Sequence, residues 1–401
     1  MSRLPTAVSA DKGGATNVKK LLSVFMVCGL MAASAVSCAG KGETSSATVE
    51  TTAAATTAEA ATETETEPAT EPTTKVTVEY YDGLICSDNM TEKEKERSSF
   101  REFTLLDPEK CFSLSKNGRN FYPMPDAAEL KVKKFTDDIR EIKIYDEQLD
   151  TDFLVHVILP PDYDENKEYP VFLMTDPAYW FKFIPDLRQL ISDGEAAPMI
   201  FVTLGYDYDR NGGGDEERLD KFIIRQKEFL DFITDDLMRT VALNYKIDES
   251  RSVFFGHSCG GTFSHYALCN SDKYEYQPFA RYIMGSMAFW NYYHSFDEKL
   301  YDPSVITDPY AYTREFDYFD RNEAMDKNVF ICAGGRENRS FEDCYGDNKN
   351  MTEEATALYE RLISHGTDAE LKIYEDCYHN NYVEDMLKDY LKQNFPSEDK
   401  S

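Results

Sequence analysis

From residue 139 onward, short apolar runs alternate with longer stretches whose apolar residues recur every three or four positions. Two β-rich runs, Ile139–Tyr145 and Phe153–Leu159, flank a polar stretch at 146–152 and predict two paired strands joined by a turn. Pro170–Met174 and Met199–Leu204 are continuously apolar, the pattern of strands covered on both faces. Phe222–Val241 carries Phe229, Phe232, Ile233, Leu237 and Val241 at helical spacing and predicts one amphipathic helix. The pattern continues as strand 253–256, helix 260–269, strand 281–285, strand 328–332, helix 352–364, strand 370–374 and helix 382–391. Strands that alternate with helices need crossover connections, so the predicted class is α/β, with a mainly parallel central sheet flanked by helices.

The N-terminal part of the chain breaks this pattern. Lys19 and Lys20 precede the apolar run Leu21–Leu30, and small residues lead on to Ala35-Val-Ser-Cys38, the form of a secretory signal over residues 1–37. The run falls short of the roughly 20 residues that a membrane-crossing helix needs. Residues 1–17 are an unusual lead for such a signal and point to a start further along the chain. The Ala-Val-Ser-Cys ending resembles the lipobox of bacterial lipoproteins, which makes Cys38 the expected lipidated residue, with Ala35 where Leu is commonest.

Residues 38–75 are almost entirely Thr, Ala, Glu, Ser and Pro, a composition that buries too little apolar surface to offset its chain entropy. They read as a disordered tether. Residues 76–138 contain aromatics and the charged stretch Thr91–Glu102, and fit a cap, an extra sheet edge or a small binding module equally well. Residues 139–401 are the main domain, long enough for a proper core.

The chain of 401 residues carries a net charge of −30, which becomes −33 when residues 1–37, with four basic residues and one acidic, are set aside. A chain this acidic repels phosphate backbones, so nucleic acid is not an expected partner. Beyond Cys28 and Cys38 seven cysteines remain, an odd number without the clustering of a zinc site, and no metal or cofactor is expected.

Candidate chemistry centres on Gly256-His-Ser-Cys-Gly260, which follows an apolar strand-like run and precedes a helix-like one. A G-x-S-x-G in that context is a nucleophile elbow: the turn is so tight that glycines flank the serine, and Ser258 stands exposed at the strand's carboxyl end. A serine hydroxyl needs a base within hydrogen-bond reach, itself oriented by a carboxylate. Of six histidines, His156 sits within a strand, His257 points away from Ser258 by strand alternation, and His265 lies on the following helix. His294 follows an aromatic cluster and His365 ends a helix. His379 remains, in a polar loop after the last strand, where the order Ser, acid, His of α/β hydrolases places its histidine. Glu337 lies just past the end of the preceding strand, and Asp343 and Asp347 in the same loop are alternatives for the acid.

These residues resemble the esterase family of α/β hydrolases that includes enterochelin esterases, feruloyl esterases, S-formylglutathione hydrolase and mycolyltransferases. The resemblance runs from about Ile139 to Leu391 through Tyr169–Asp176, Asn244–Arg251 leading into the elbow, Met287–Asn291, Ala333–Glu337 and His379. It implies Ser258 as nucleophile, His379 as base and Glu337 as acid, with oxyanion donors from the backbone of Cys259 and from near Ala178. Pro177 departs from the family, which usually has glycine there, and a proline brings no N–H to that turn. Cys259 stands where relatives often carry a larger apolar residue.

Tyr179, Trp180, Phe289, Trp290, Tyr292 and Tyr293 are candidate pocket walls, and aromatic walls suit an aryl or sugar-linked acyl group. The expectation is a serine esterase on the outer face of a bacterial membrane, held through Cys38, or secreted. Its substrate would be a small or polysaccharide-linked ester carrying feruloyl or acetyl groups. A siderophore esterase and an acyltransferase are alternatives within the family. A ligand-binding lipoprotein without turnover is a rival of another class, invited by Pro177. A two-carboxylate glycosidase finds no singled-out pair.

Overall fold

The computed structural model describes residues 79–81, 84–102, 124–211, 215–289, 315–337 and 351–397. Its strands are β1 (Glu79–Tyr81), β2 (Leu84–Cys86), β3 (Ser99–Glu102), β4 (Ile139–Asp146), β5 (Thr151–Ile158), β6 (Val171–Thr175), β7 (Ile200–Tyr206), β8 (Val253–His257), β9 (Arg281–Gly285), β10 (Asn328–Gly334) and β11 (Asp368–Tyr374). β1 and β2 pair with each other; the other nine form one sheet in the order β11-β10-β9-β8-β6-β7-β5-β4-β3. Every pairing from β11 to β7 is parallel, and every pairing from β7 through β5 and β4 to β3 is antiparallel. The mainly parallel sheet is what the alternation of apolar runs predicts, and the arrangement is the α/β-hydrolase fold that the family resemblance implies. All six parallel strands end on one edge of the sheet, the edge where open α/β sheets place their sites.

The helices are α1 (Glu92–Arg97), α2 (Asp126–Val132), α3 (Pro177–Trp180), α4 (Ile184–Ser192), α5 (Asp215–Leu219), α6 (Gln226–Asp231), α7 (Met238–Asn244), α8 (Cys259–Asn270), α9 (Tyr318–Arg321), α10 (Met351–Ser364) and α11 (Val383–Asn394). They cover both faces of the sheet. On one face Phe172, Met174, Phe255, Phe330 and Cys332 join Ile184 and Leu187 of α4 and Met386, Tyr390 and Leu391 of α11 in one core. On the other, Phe254 packs against Phe263 of α8, and Phe263 against Phe229 of α6. Alternate residues of β8 therefore serve opposite cores, as the period of a strand requires. Each fully buried phenylalanine or leucine of these layers contributes roughly 1.5–3 kcal/mol relative to exposure.

The segment predicted as one helix over 222–241 is interrupted. Its chain passes through π-turns at Asp220–Ile224 and Phe232–Leu237, with α6 between them and α7 after them. At the first interruption Arg225 leaves helical geometry, with φ −111° and ψ 45°. Its guanidinium reaches the carbonyls of Gln148 and Leu149 in the β4–β5 turn. The Gln226 side chain donates to the Phe222 carbonyl at 2.7 Å, occupying an acceptor of the preceding turn.

Of the readings open for residues 76–138, the described part supplies a sheet edge. β3 pairs antiparallel with β4, with Ser99 opposite Lys143. α1 is held by a capping box between Thr91 and Glu94, and Arg97 at its end pairs with Asp152 of β5. The described residues all lie in one compact unit spanning residues 77–401. Among them no helix is long and apolar enough to cross a membrane. The predicted signal, Cys38 and the tether lie outside the described residues.

Candidate active site

Ser258 sits between β8 and α8 at φ 59° and ψ −122°, a left-handed conformation costly for a residue with a Cβ. Glycine is required around it. A Cβ on Gly256 would lie 1.9 Å from the Gly260 carbonyl oxygen, and one on Gly260 would lie 2.8 Å from Thr175 Oγ1. The strand therefore passes directly under the helix that follows it, and the serine is pushed out at the turn. Its backbone N–H donates to the Gly285 carbonyl at 2.9 Å, tying the elbow to the end of β9. Cys259 opens α8, whose first N–H groups have no intrahelical acceptor.

Glu337 lies just past β10 and His379 in the loop after β11, and the structure brings them together. His379 Nδ1 is 2.6 Å from Glu337 Oε2, with the carboxylate buried and the imidazole more than one-third exposed. The other carboxylate oxygen accepts the Gly334 N–H at 2.7 Å and the Ser286 hydroxyl at 2.6 Å. The alternative acids Asp343 and Asp347 lie outside the described residues. The His379 ring packs against that of His257 at 4.7 Å between centroids, and His257 is the residue before Ser258. Ser258, Glu337 and His379, the sequence candidates for nucleophile, acid and base, thus follow the carboxyl ends of β8, β10 and β11.

His257 lies on the face of β8 that strand alternation gives it, with Phe255 against Trp180, and that face also receives His379. His257 is buried, its ring lies between Trp180 and His379, and its Nε2 is 3.2 Å from the Tyr382 hydroxyl. Burial, and next the neighbouring His379, hold its pKa well below the usual histidine range, so this imidazole is neutral. His156 and His265 are both buried, the first 3.3 Å from the Glu141 carboxylate, the second packed on Phe289. The His365 ring stacks on Phe319. His294 lies outside the described residues.

The turn after β6 neighbours the elbow, because β6 and β8 are paired. Asp176 adopts φ 56° and ψ 49°, and Pro177 takes the first position of α3. There the missing N–H costs nothing and the fixed φ suits the helix. Its ring packs on β7, where a Cβ on Gly205 would meet Pro177 Cγ at 2.9 Å. The departure from glycine is thus absorbed, with the half-buried Ala178 next in the first turn of α3. Arg218 of α5 clasps both oxygens of Asp176 at 2.8 Å each.

The predicted aromatic walls divide. Tyr179 is 40% exposed beside the turn, with the Arg218 guanidinium over its ring. Trp180 is buried against His257, and Phe289 is fully buried against His265. Both serve as core side chains. Trp290, Tyr292 and Tyr293 lie outside the described residues. Sequence reasoning passed over Ser286, Tyr382, Arg218 and the site-facing role of His257. Three of them adjoin quoted motifs: Ser286 precedes Met287, Tyr382 follows His379 by three residues, and His257 lies inside the elbow.

Among the described residues Cys269, Cys332 and Cys377 are free thiols. Cys111 and Cys344 lie outside them.

The family model described as "Putative esterase" matches residues 147–392. Similar solved structures include a BES protein from Bacillus cereus, at 20% identity and a TM-score of 0.47, covering 64% of this chain and 96% of that one. An IroE-like serine hydrolase from Shewanella oneidensis matches at 16% identity and a TM-score of 0.49, covering 64% and 80%. A feruloyl esterase module from Clostridium thermocellum matches at 18% identity and a TM-score of 0.44, covering 64% and 87%. No curated protein matches.

Proposed function

The chain belongs to the Putative esterase family, and from that premise we propose that this ester hydrolase is a serine carboxylic esterase working through an acyl-enzyme. In this reading Ser258 Oγ attacks the ester carbonyl while His379 Nε2 takes its proton, and Glu337 steadies the imidazolium through Nδ1–H. The backbone N–H groups of Cys259 and Ala178 face the tetrahedral oxyanion. His379 returns the proton to the leaving alkoxide, and water, deprotonated by the same imidazole, releases the acid and restores Ser258. The observation that carries the reading is the 2.6 Å contact of His379 Nδ1 with Glu337 Oε2, beside an elbow that holds Ser258 at positive φ.

For substrate we propose feruloyl or acetyl esters on polysaccharides. The exposed Tyr179 ring beside the turn of Ala178 supports an aryl or sugar-linked acyl group. The signal-like residues 1–37, Cys38 and the tether support display on the outer face of the cell membrane, or secretion. A non-catalytic ligand-binding role loses its motive once Pro177 occupies a helix position that tolerates it.

Hydrolysis of p-nitrophenyl acetate and methyl ferulate by the protein, beside its Ser258→Ala variant, tests this reading. Turnover abolished by the substitution supports it, and the ratio of the two rates ranks aryl against acetyl substrates. Equal background rates in both proteins would refute it.

A further inference from the structure

Ser286 and Tyr382 belong to none of the three strands that carry the proposed triad, yet they close a ring of contacts beneath it. Ser286 follows β9, the strand between the elbow's β8 and the acid's β10. Its N–H donates to the Cys332 carbonyl at 2.7 Å. Its hydroxyl lies 2.6 Å from Glu337 Oε1 and 2.5 Å from the Tyr382 hydroxyl, which lies 3.2 Å from His257 Nε2. Tyr382 is buried and stacked on Tyr374, so its hydroxyl is fixed in place.

Counting protons gives this chain a direction. A hydroxyl has one hydrogen to give. Ser286 gives its own to the carboxylate, which accepts and cannot donate when ionised. In the Ser286–Tyr382 contact the donor must then be Tyr382, since two bare oxygens 2.5 Å apart would repel. With its hydrogen spent, Tyr382 can only accept from His257, so Nε2 of that ring carries the proton. The His379 backbone also approaches this ring, so a proton on Nδ1 is the competing tautomer, and the contacts of Tyr382 and Ser286 favour Nε2.

We propose that Ser286 and Tyr382 are positioning residues, which with His257 form a one-way donor chain from His257 Nε2–H through Tyr382 and Ser286 to Glu337 Oε1. The chain loads one oxygen of the carboxylate with donors and leaves Oε2 to His379. It thereby sets the angle at which His379 presents Nε2 to Ser258. The inference rests on the proposed triad for its effect on catalysis, while the direction of the chain stands on the geometry alone.

Two measurements on the full-length protein test it. Imidazole nitrogen chemical shifts of the ¹⁵N-histidine-labelled protein report the tautomer of His257 whether or not the protein hydrolyses esters. The expected result is a neutral ring protonated at Nε2, turning into a tautomer mixture in Tyr382→Phe. A ring protonated at Nδ1 in the unsubstituted protein would overturn the chain. With p-nitrophenyl acetate, Tyr382→Phe and Ser286→Ala are each expected to lower kcat about 10-fold, the worth of one lost hydrogen bond to a charged group, with little change in KM. The double variant should lose little more than either single one, because both act through one chain. Unchanged kcat in Tyr382→Phe, or losses that multiply in the double variant, would overturn the positioning role. Absence of turnover in the unsubstituted protein would instead count against the esterase reading, with the tautomer measurement still deciding the chain.

Discussion

Arg218 holds both oxygens of Asp176 at 2.8 Å, and Asp176 is the residue at which the chain bends with φ 56° from β6 into α3. The pair is nearly shut off from water, with the Asp176 side chain 3% and that of Arg218 14% exposed. A buried pair of this kind is costly to break, because one partner is left uncompensated, at roughly 3–5 kcal/mol. Arg218→Met keeps an apolar stem at this position while removing the fork, which also lies over the Tyr179 and Phe222 rings. The expected result is a lower unfolding temperature and, as the turn that carries Ala178 relaxes, a kcat reduced about 10²-fold, the scale of one oxyanion donor. Unfolding scans and steady-state kinetics on p-nitrophenyl acetate check both effects.

The elbow has no room for a methyl group at Gly256, where a Cβ would overlap the Gly260 carbonyl oxygen at 1.9 Å. The nearest obstacle is backbone, so no side-chain movement relieves it. Gly256→Ala should destabilise the fold by ~3 kcal/mol or more and abolish activity. Denaturant unfolding beside the unsubstituted protein measures the first, and ester hydrolysis the second.

A cluster of carboxylates from Glu94, Asp146 and Asp236, with oxygens within 4.8 Å of one another, predicts a pH dependence of stability. Burial, and next the charge of Glu94, push Asp236 up to about 8. Asp146 is pushed up to about 6, mainly by burial, against the Leu149 N–H that pulls it down. Acids raised in the folded state bind protons there that the unfolded chain has lost, so stability falls as pH rises from about 4 to about 8. The unfolding free energy should be greater at pH 5 than at pH 8, by on the order of a few kcal/mol. Asp236→Asn should flatten the profile and stabilise the protein at pH 8. Stability that rises over this window, in the absence of added divalent ions, would contradict the prediction.

Much of the fold was legible because its signals are local. The continuous apolar runs at 170–174 and 199–204 are those of strands buried on both faces, and β6 and β7 occupy them. Ser258 announces itself through flanking glycines, and Glu337 and His379 through their places after successive strands. Ser286 and Tyr382 stayed hidden because their partners lie far off in sequence, Ser286 being 51 residues from Glu337 and 96 from Tyr382. Only the order of β8, β9 and β10 in the sheet brings them together. His257 keeps the face of β8 that alternation gives it, with Phe255 against Trp180, and only its neighbours His379 and Tyr382 stayed hidden, because they come to that face from far off in sequence. The helix over 222–241 was overextended because its break at Arg225 depends on carbonyls of the β4–β5 turn, a tertiary contact that periodicity does not carry.

The most direct test of the central claim is covalent labelling of the full-length protein by diisopropyl fluorophosphate, read by peptide mass spectrometry. The account predicts one phosphoryl adduct per chain, on Ser258, with its formation lost in Ser258→Ala and strongly slowed in His379→Ala. An adduct on another residue, or equal labelling in the His379→Ala variant, would contradict Ser258 as a nucleophile activated by His379.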